Sequence, residues 1–132
     1  MSIEVSWDNE EKSIMLICYP PRWEWDEIYL MANRCNQMID ACGHLVVVIH
    51  DMHDIYRLPP NAFEHVHSLM LSLHPHVKML IFVGMRPLVR VIWNTFAELY
   101  SSVVQKRSFY AAENIDEARL HGDEFLSARK TQ

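Results

Sequence analysis

The chain has 132 residues, half of them hydrophobic, with twelve basic against seventeen acidic residues and a net charge of −5. That length and apolar content suit a single domain whose core needs no metal or disulfide staple. The acidic balance lacks the basic footprint of a nucleic-acid binder, and no apolar run approaches the ~20 residues that span a bilayer.

Met1–Val5 carries an acid and alternates like a strand, unlike a secretory signal. Ile3–Trp7 and Ser13–Tyr19 read as two strands, joined by the polar turn Asp8–Lys12 into an antiparallel hairpin. Pro20-Pro21 ends the second strand, since neither residue donates to a ladder. Trp25–Cys42 reads as a helix. Ile28, Met31, Ala32, Cys35, Ile39 and Cys42 share one face, Asp26 and Glu27 suit the first turn, and Gly43 suits the end. The three cysteines form no CxxC pair. Cys35 and Cys42 fall about 10 Å apart along one helix, too far to bridge, so reduced thiols in a cytoplasmic protein are expected.

The stretch Leu45-Val46-Val47-Val48-Ile49 organises the rest. It reads as a central parallel strand buried on both faces, with helices on each side. It ends in His50-Asp51-Met52-His53-Asp54, at the carboxyl edge where α/β sheets place ligands. A helix opens near Asn61 and runs to about His74, with Phe63, Val66, Leu69, Met70 and Leu73 inward. Val77–Val83 is a further strand, Gly84 a turn, and Pro87 to about Val104 a third helix. Ser108–Ala111 is the last strand. Asn114–Glu117 has the form of a capping box opening a fourth helix. Past Gly122 the residues are mostly polar, and a polar tail is expected from 122 to 132, either fraying or continuing as a separate helical turn. The expected fold is a single α/β domain over residues 1–121. Its order is β-β-α-β-α-β-α-β-α, giving a mostly parallel sheet with one antiparallel strand and covering helices.

This order resembles the STAS-like domains, which share the SpoIIAA-like fold of anti-sigma-factor antagonists. The matching pieces are the opening hairpin, the Leu45–Ile49 strand ending in Asp51, the helix after it and the Met79–Val83 strand ending in Gly84. Trp23–Glu27, Leu58–Asn61 and the Phe109–Ala118 junction look like a bacterial branch of unassigned function. The resemblance implies a βα superhelix and a regulatory, protein-binding role. It also exposes a departure. The family's phosphorylatable Ser or Thr would lie two residues after Asp51, where this chain has His53, so switching by serine phosphorylation is not carried over.

Several constellations suggest chemistry. His50, Asp51, His53 and Asp54 are ligand types for zinc, iron or manganese. However, His50 and Asp51 point to opposite faces of a strand, and His65 and His67 lie about 200° apart around a helix. A solvated loop is the plainer reading, and neither a metal nor a cofactor is expected. No GxSxG, GxGxxG or Walker-type loop occurs, and the cysteines sit in apolar elements, so no catalytic set is assigned. Gly84–Pro87, with Arg86, has the form of an anion-binding turn, but an ordinary βα connection is the plainer reading. His50, Asp51, His53, Asp54 and Arg86 thus form a possible ligand cleft. Tyr19, Trp23, Trp25 and Tyr29 suit either a binding platform or the packed start of a helix.

On the third helix Leu88, Ile92, Phe96, Leu99 and Val103 make a stripe toward the sheet. Trp93, Ala97, Tyr100 and Val104 make a second stripe, which covers a neighbouring helix or forms an interface. The expectation is a cytoplasmic, non-enzymatic domain that binds a protein partner or a second copy of itself, and neither nucleic acid nor membrane. A small-ligand- or anion-binding domain is the alternative, and a metal-dependent enzyme comes third.

Overall fold

The computed structural model describes residues 2–130. Strands β1 (Glu4–Trp7) and β2 (Ile14–Cys18) form an antiparallel hairpin. Asn9 locks its turn, its Oδ1 accepting from the Ser13 and Ile14 backbone N–H groups at 3.0 and 3.1 Å. Helix α1 (Trp25–Cys42) opens with a capping box between Glu24 and Glu27. Then come β3 (Val46–Asp51), α2 (Ala62–Leu71), β4 (Val77–Val83), α3 (Pro87–Leu99), the short α4 (Ser101–Val104), β5 (Ser108–Ala112) and α5 (Ile115–Lys130). This is the expected α/β order, with one helix divided. The chain parts from helical geometry at Tyr100, so the expected helix to Val104 is two.

The strands lie in the order β1-β2-β3-β4-β5, with β2 to β5 parallel. Each crossover steps one strand in the same direction. Right-handed connections therefore put their helices on the same face of the sheet. There α1, α2 and α3 cover Met15, Ile17, Val46, Val48, Leu80 and Phe82. The alternate residues Ile14, Val47, Ile49, Met79, Ile81 and Val83 face the other way and are covered by α5. Of the expected run, Val46–Ile49 is thus buried on both sides, its successive side chains alternating between two cores, while Leu45 precedes the strand and is half-buried.

The two layers are built differently. Helix α5 lies close on the sheet because it presents Ala118 and Gly122, both buried. A Cβ on Gly122 would meet Ile14 and Val47 at 3.5 Å, ordinary contact. The expected tail from residue 122 is instead helix through Lys130, with Phe125 and Leu126 packed on this second core. The polar composition misled because most of that segment's polar residues lie on the solvent side of an amphipathic helix. At the other end of α5, the Asn114 side chain caps the Glu117 N–H at 2.8 Å, as expected. The Glu117 carboxylate reaches the Glu113 N–H rather than that of Asn114, and also accepts from Tyr110 Oη at 2.6 Å.

Gly84 and Gly122 respond oppositely to an added methyl. Gly84 has φ +67, and its Cβ would stand 2.8 Å from His53 Cβ and 3.1 Å from its Cα. Gly84→Ala should cost about 2 kcal/mol or more through a strained backbone and a close approach to main chain. Gly122→Ala should gain about 0.5–1 kcal/mol, from better helix propensity, with the added methyl in ordinary contact. Urea unfolding midpoints of the two variants should move in opposite directions from that of the parent.

Candidate functional site

At the carboxyl edge the strand-end cluster divides in two, because consecutive residues of β3 face opposite cores. His50 turns into the α1–α3 side, between Ile17 of β2 and Phe82 of β4 in register. Its Nδ1 lies 2.7 Å from Tyr19 Oη. The rings of Tyr19 and Phe82 sit 5.8 and 5.5 Å from its own. Its Nε2 is buried without a hydrogen-bond partner. Burial lowers the imidazole from 6.5 to about 4 and raises the Tyr19 phenol, so both are neutral at pH 7.

Asp51 turns the other way and holds His53, Oδ1 to Nδ1, at 2.5 Å. That hydrogen bond, with the charges of Asp51 and Asp54, raises His53 against the opposing effects of burial and Arg86. His53 Nε2 lies 3.4 Å from Asp54. Arg86 Nε donates to the His53 carbonyl at 3.0 Å, its Nη2 donates to Tyr56 Oη at 3.0 Å, and its guanidinium lies over the Tyr56 ring. Asp51, His53, Asp54 and Arg86 are therefore brought together as a surface network tying the β3 and β4 ends to one another. His50 is not part of it. Among the described residues no group of three or more His, Cys, Asp or Glu is placed to hold a metal ion. Beside Asp51 on β2, Cys18 is pushed up by burial, then by the charges of Asp51, Glu4 and Asp8. Burial pushes Cys35 up to about 12. Both thiols stay protonated near neutrality and are poor nucleophiles.

A concavity lies on the His50 side. A cavity of about 170 Å³ runs between the sheet and the α1–α3 layer. Ile17, Val48, Leu80 and Phe82 floor it, and Trp23, Trp25 and Met31, with Leu69 and Phe96, are among the residues that enclose it. Its lining contains no Asp, Glu, Lys or Arg. The expected inward residues of α2 are there, but only Met70 is fully buried. Phe63, Val66, Leu69 and Leu73 stand half-buried around the void.

Helix α2 is joined to α1 along a polar seam. Trp25 Nε1 donates to the Pro60 carbonyl at 2.7 Å, and Tyr29 Oη pairs with His65 Nδ1 at 2.9 Å. Asn36 Nδ2 donates to the Ser72 carbonyl at 3.1 Å, and His74 Nε2 meets Asp40 at 2.6 Å. The four α1 positions are spaced by four, seven and four residues, one stripe of the helix. Of the aromatic group expected as platform or packing, Trp23 and Trp25 are buried and Tyr19 lines the cavity with them. The Tyr19–His50 pair went unread in the sequence. Its signal was that both residues lie at the carboxyl ends of strands that prove to be parallel neighbours.

On α3 the apolar stripes are rotated from the expected ones. Val89 and Phe96 are the fully buried residues, while Leu88 and Leu99, expected against the sheet, are 57% and 65% exposed. Trp93 packs on Phe82, Phe96 and Phe109, and Tyr100 on Phe96 and His67. Ala97 and Val104 are half-buried. The Trp93–Tyr100 flank thus covers neighbouring elements within the chain.

No protein-family model matches the sequence, and no curated protein matches it. No helix among the described residues is long and apolar enough to cross a membrane.

The depressed His50 makes a test of the site. Between pH 6.5 and about 4 an unfolded chain protonates this imidazole and the folded chain does not. Stability from this group is complete above pH 6.5 and lost as pH falls toward 4, by about 3 kcal/mol in all. His50→Phe should remove that component, so wild-type and variant stabilities measured by urea unfolding should have different pH slopes over this range. Identical slopes would show that His50 titrates normally.

Proposed function

We propose that this chain is a non-enzymatic, STAS-like binding domain, and that its ligand is a small, largely apolar molecule held between the sheet and α1–α3. The observation that carries this reading is the cavity. Protein interiors pack as densely as organic crystals. A void of 170 Å³ costs on the order of 4 kcal/mol against a filled core, a large fraction of a domain's stability. Dry apolar voids of about 150 Å³ take up benzene, so the volume suits one ring. The neutral His50 and Tyr19 are among the few polar groups of a mostly apolar wall, the composition of a ligand pocket with few orienting groups. In the strand-end network Arg86 is engaged by the His53 carbonyl and Tyr56, and the nearby Asp51 and Asp54 carboxylates make it a poorer anion cleft.

Toluene tests this reading directly. At 100 times its Kd a ligand of the folded state adds about 2.7 kcal/mol, which calorimetry reads as a higher melting temperature. Leu69→Phe should fill part of the void, raise the melting temperature of the free protein and weaken the toluene response. A parent chain whose melting is unchanged by toluene would end the proposal.

The resemblance to STAS-like regulators supports a second reading, association with a protein partner or second copy. Leu88, Val91 and Leu99 favour it, lying more than half exposed along one side of α3. An apolar stripe in water is an interface feature. If this stripe joins two copies, Leu88→Glu with Leu99→Glu should turn a dimer into a monomer in light scattering, with the melting temperature of a dilute sample unchanged. A monomeric parent would remove the self-association form of this reading.

A further inference from the structure

We propose that the cavity's ligand is a neutral molecule bearing a carbonyl-type oxygen, and that His50 Nε2–H donates a hydrogen bond to that oxygen. The inference rests on the binding reading above and adds the chemistry of what is bound.

The argument begins with protons. A neutral imidazole carries one N–H. Tyr19 Oη and His50 Nδ1 share a hydrogen bond of 2.7 Å, and one of them must donate. If Nδ1–H donates, the Tyr19 proton must find another acceptor and the Nε2 lone pair is also unpaired. If Tyr19 donates, Oη–H and Nδ1 are both satisfied, and one group is left over, the N–H on Nε2. A buried polar atom without a partner is costly, so the second arrangement wins. It leaves a hydrogen-bond donor without a protein acceptor, on a residue of the cavity wall, closed over by its neighbours until a ligand moves them aside. The pair acts as a relay: the phenol fixes the tautomer and thereby makes Nε2 the donor.

The other polar residues of the wall donate within the protein. Trp25 Nε1 donates to Pro60 O, Asn36 Nδ2 to Ser72 O and Ser72 Oγ to Leu69 O. The complementary ligand group is an acceptor: a ketone, aldehyde or ester oxygen. A carboxylate can also accept, but no cation lines the space, and an ion buried without a counter-charge is strongly disfavoured. An ammonium is disfavoured for the same reason and would face a donor.

Three probes of one ring size separate these features: cyclohexanone, methylenecyclohexane and cyclohexanecarboxylate. Binding is followed on the full chain by amide chemical shifts, and the His50 ring nitrogens by their own ¹⁵N resonances. Wild type should bind cyclohexanone about tenfold more tightly than methylenecyclohexane, the worth of one net hydrogen bond, and should not bind the carboxylate measurably. His50→Phe should bind ketone and hydrocarbon equally. Should that variant not fold, the wild-type ring spectrum decides. A protonated-type Nε2 that shifts on adding ketone supports the proposal, and an unprotonated-type Nε2 overturns it. Equal affinity of wild type for ketone and hydrocarbon overturns the His50 anchor while leaving the cavity a binding site. Failure of all three probes to bind overturns the cavity reading itself.

Discussion

Right-handed crossovers taken one strand at a time, always in the same direction, set the plan of this molecule. With the order β1-β2-β3-β4-β5, α1, α2 and α3 have no choice of face. Three helices must share the same side of a narrow sheet, side by side, and their inward positions carry large residues such as Trp25, Met31, Leu69 and Phe96. Helix α5 follows the last strand and crosses back to nothing, so it is free to take the opposite face. It does so with Ala118 and Gly122 against the strands. One side is consequently tight and thin, the other thick and incompletely filled.

The same plan explains why one short polar stretch yields two unlike environments. A strand sends neighbouring residues to opposite faces, so His50 and Asp51 share a peptide bond and little else. His50 lies under the thick layer, loses its hydration and stays neutral. Asp51 meets His53 at the surface, where its hydrogen bond favours the protonated imidazole. A histidine in an apolar core is a liability under acid, because the fold opposes its protonation.

Much of the fold was legible because local chemistry and tertiary position agreed. The apolar runs at Val46–Ile49 and Val77–Val83 are doubly buried strands, and the α1 boundaries and the Asn114 cap fell where residue preferences put them. The orientation of α3 was not legible. Its apolar residues Leu88, Val91, Ile92, Trp93, Phe96 and Leu99 form a sector wider than a contact with the sheet needs, so periodicity alone did not say which part of that sector is buried. Gly122 was misread because a glycine in a polar stretch looks like a stop, whereas here it lets a helix approach two strands. The site was least legible. A void is a property of the space between side chains, and each residue around it reads as ordinary core. That His50 is unpaired at Nε2 became visible only once Tyr19 was found on its other nitrogen.

The seam between α1 and α2 gives the molecule a direction of compliance. Along it Trp25, Tyr29, Asn36 and Asp40 reach across through single hydrogen bonds to Pro60, His65, Ser72 and His74. Each such link can be exchanged for a bond to water at small net cost, and one can part while the others hold. Prising α5 from the strands would instead wet a continuous apolar surface all at once. Opening along this seam is therefore graded, link by link, although buried Met70 and half-buried Val66, Leu69 and Leu73 still hold α2 to the core.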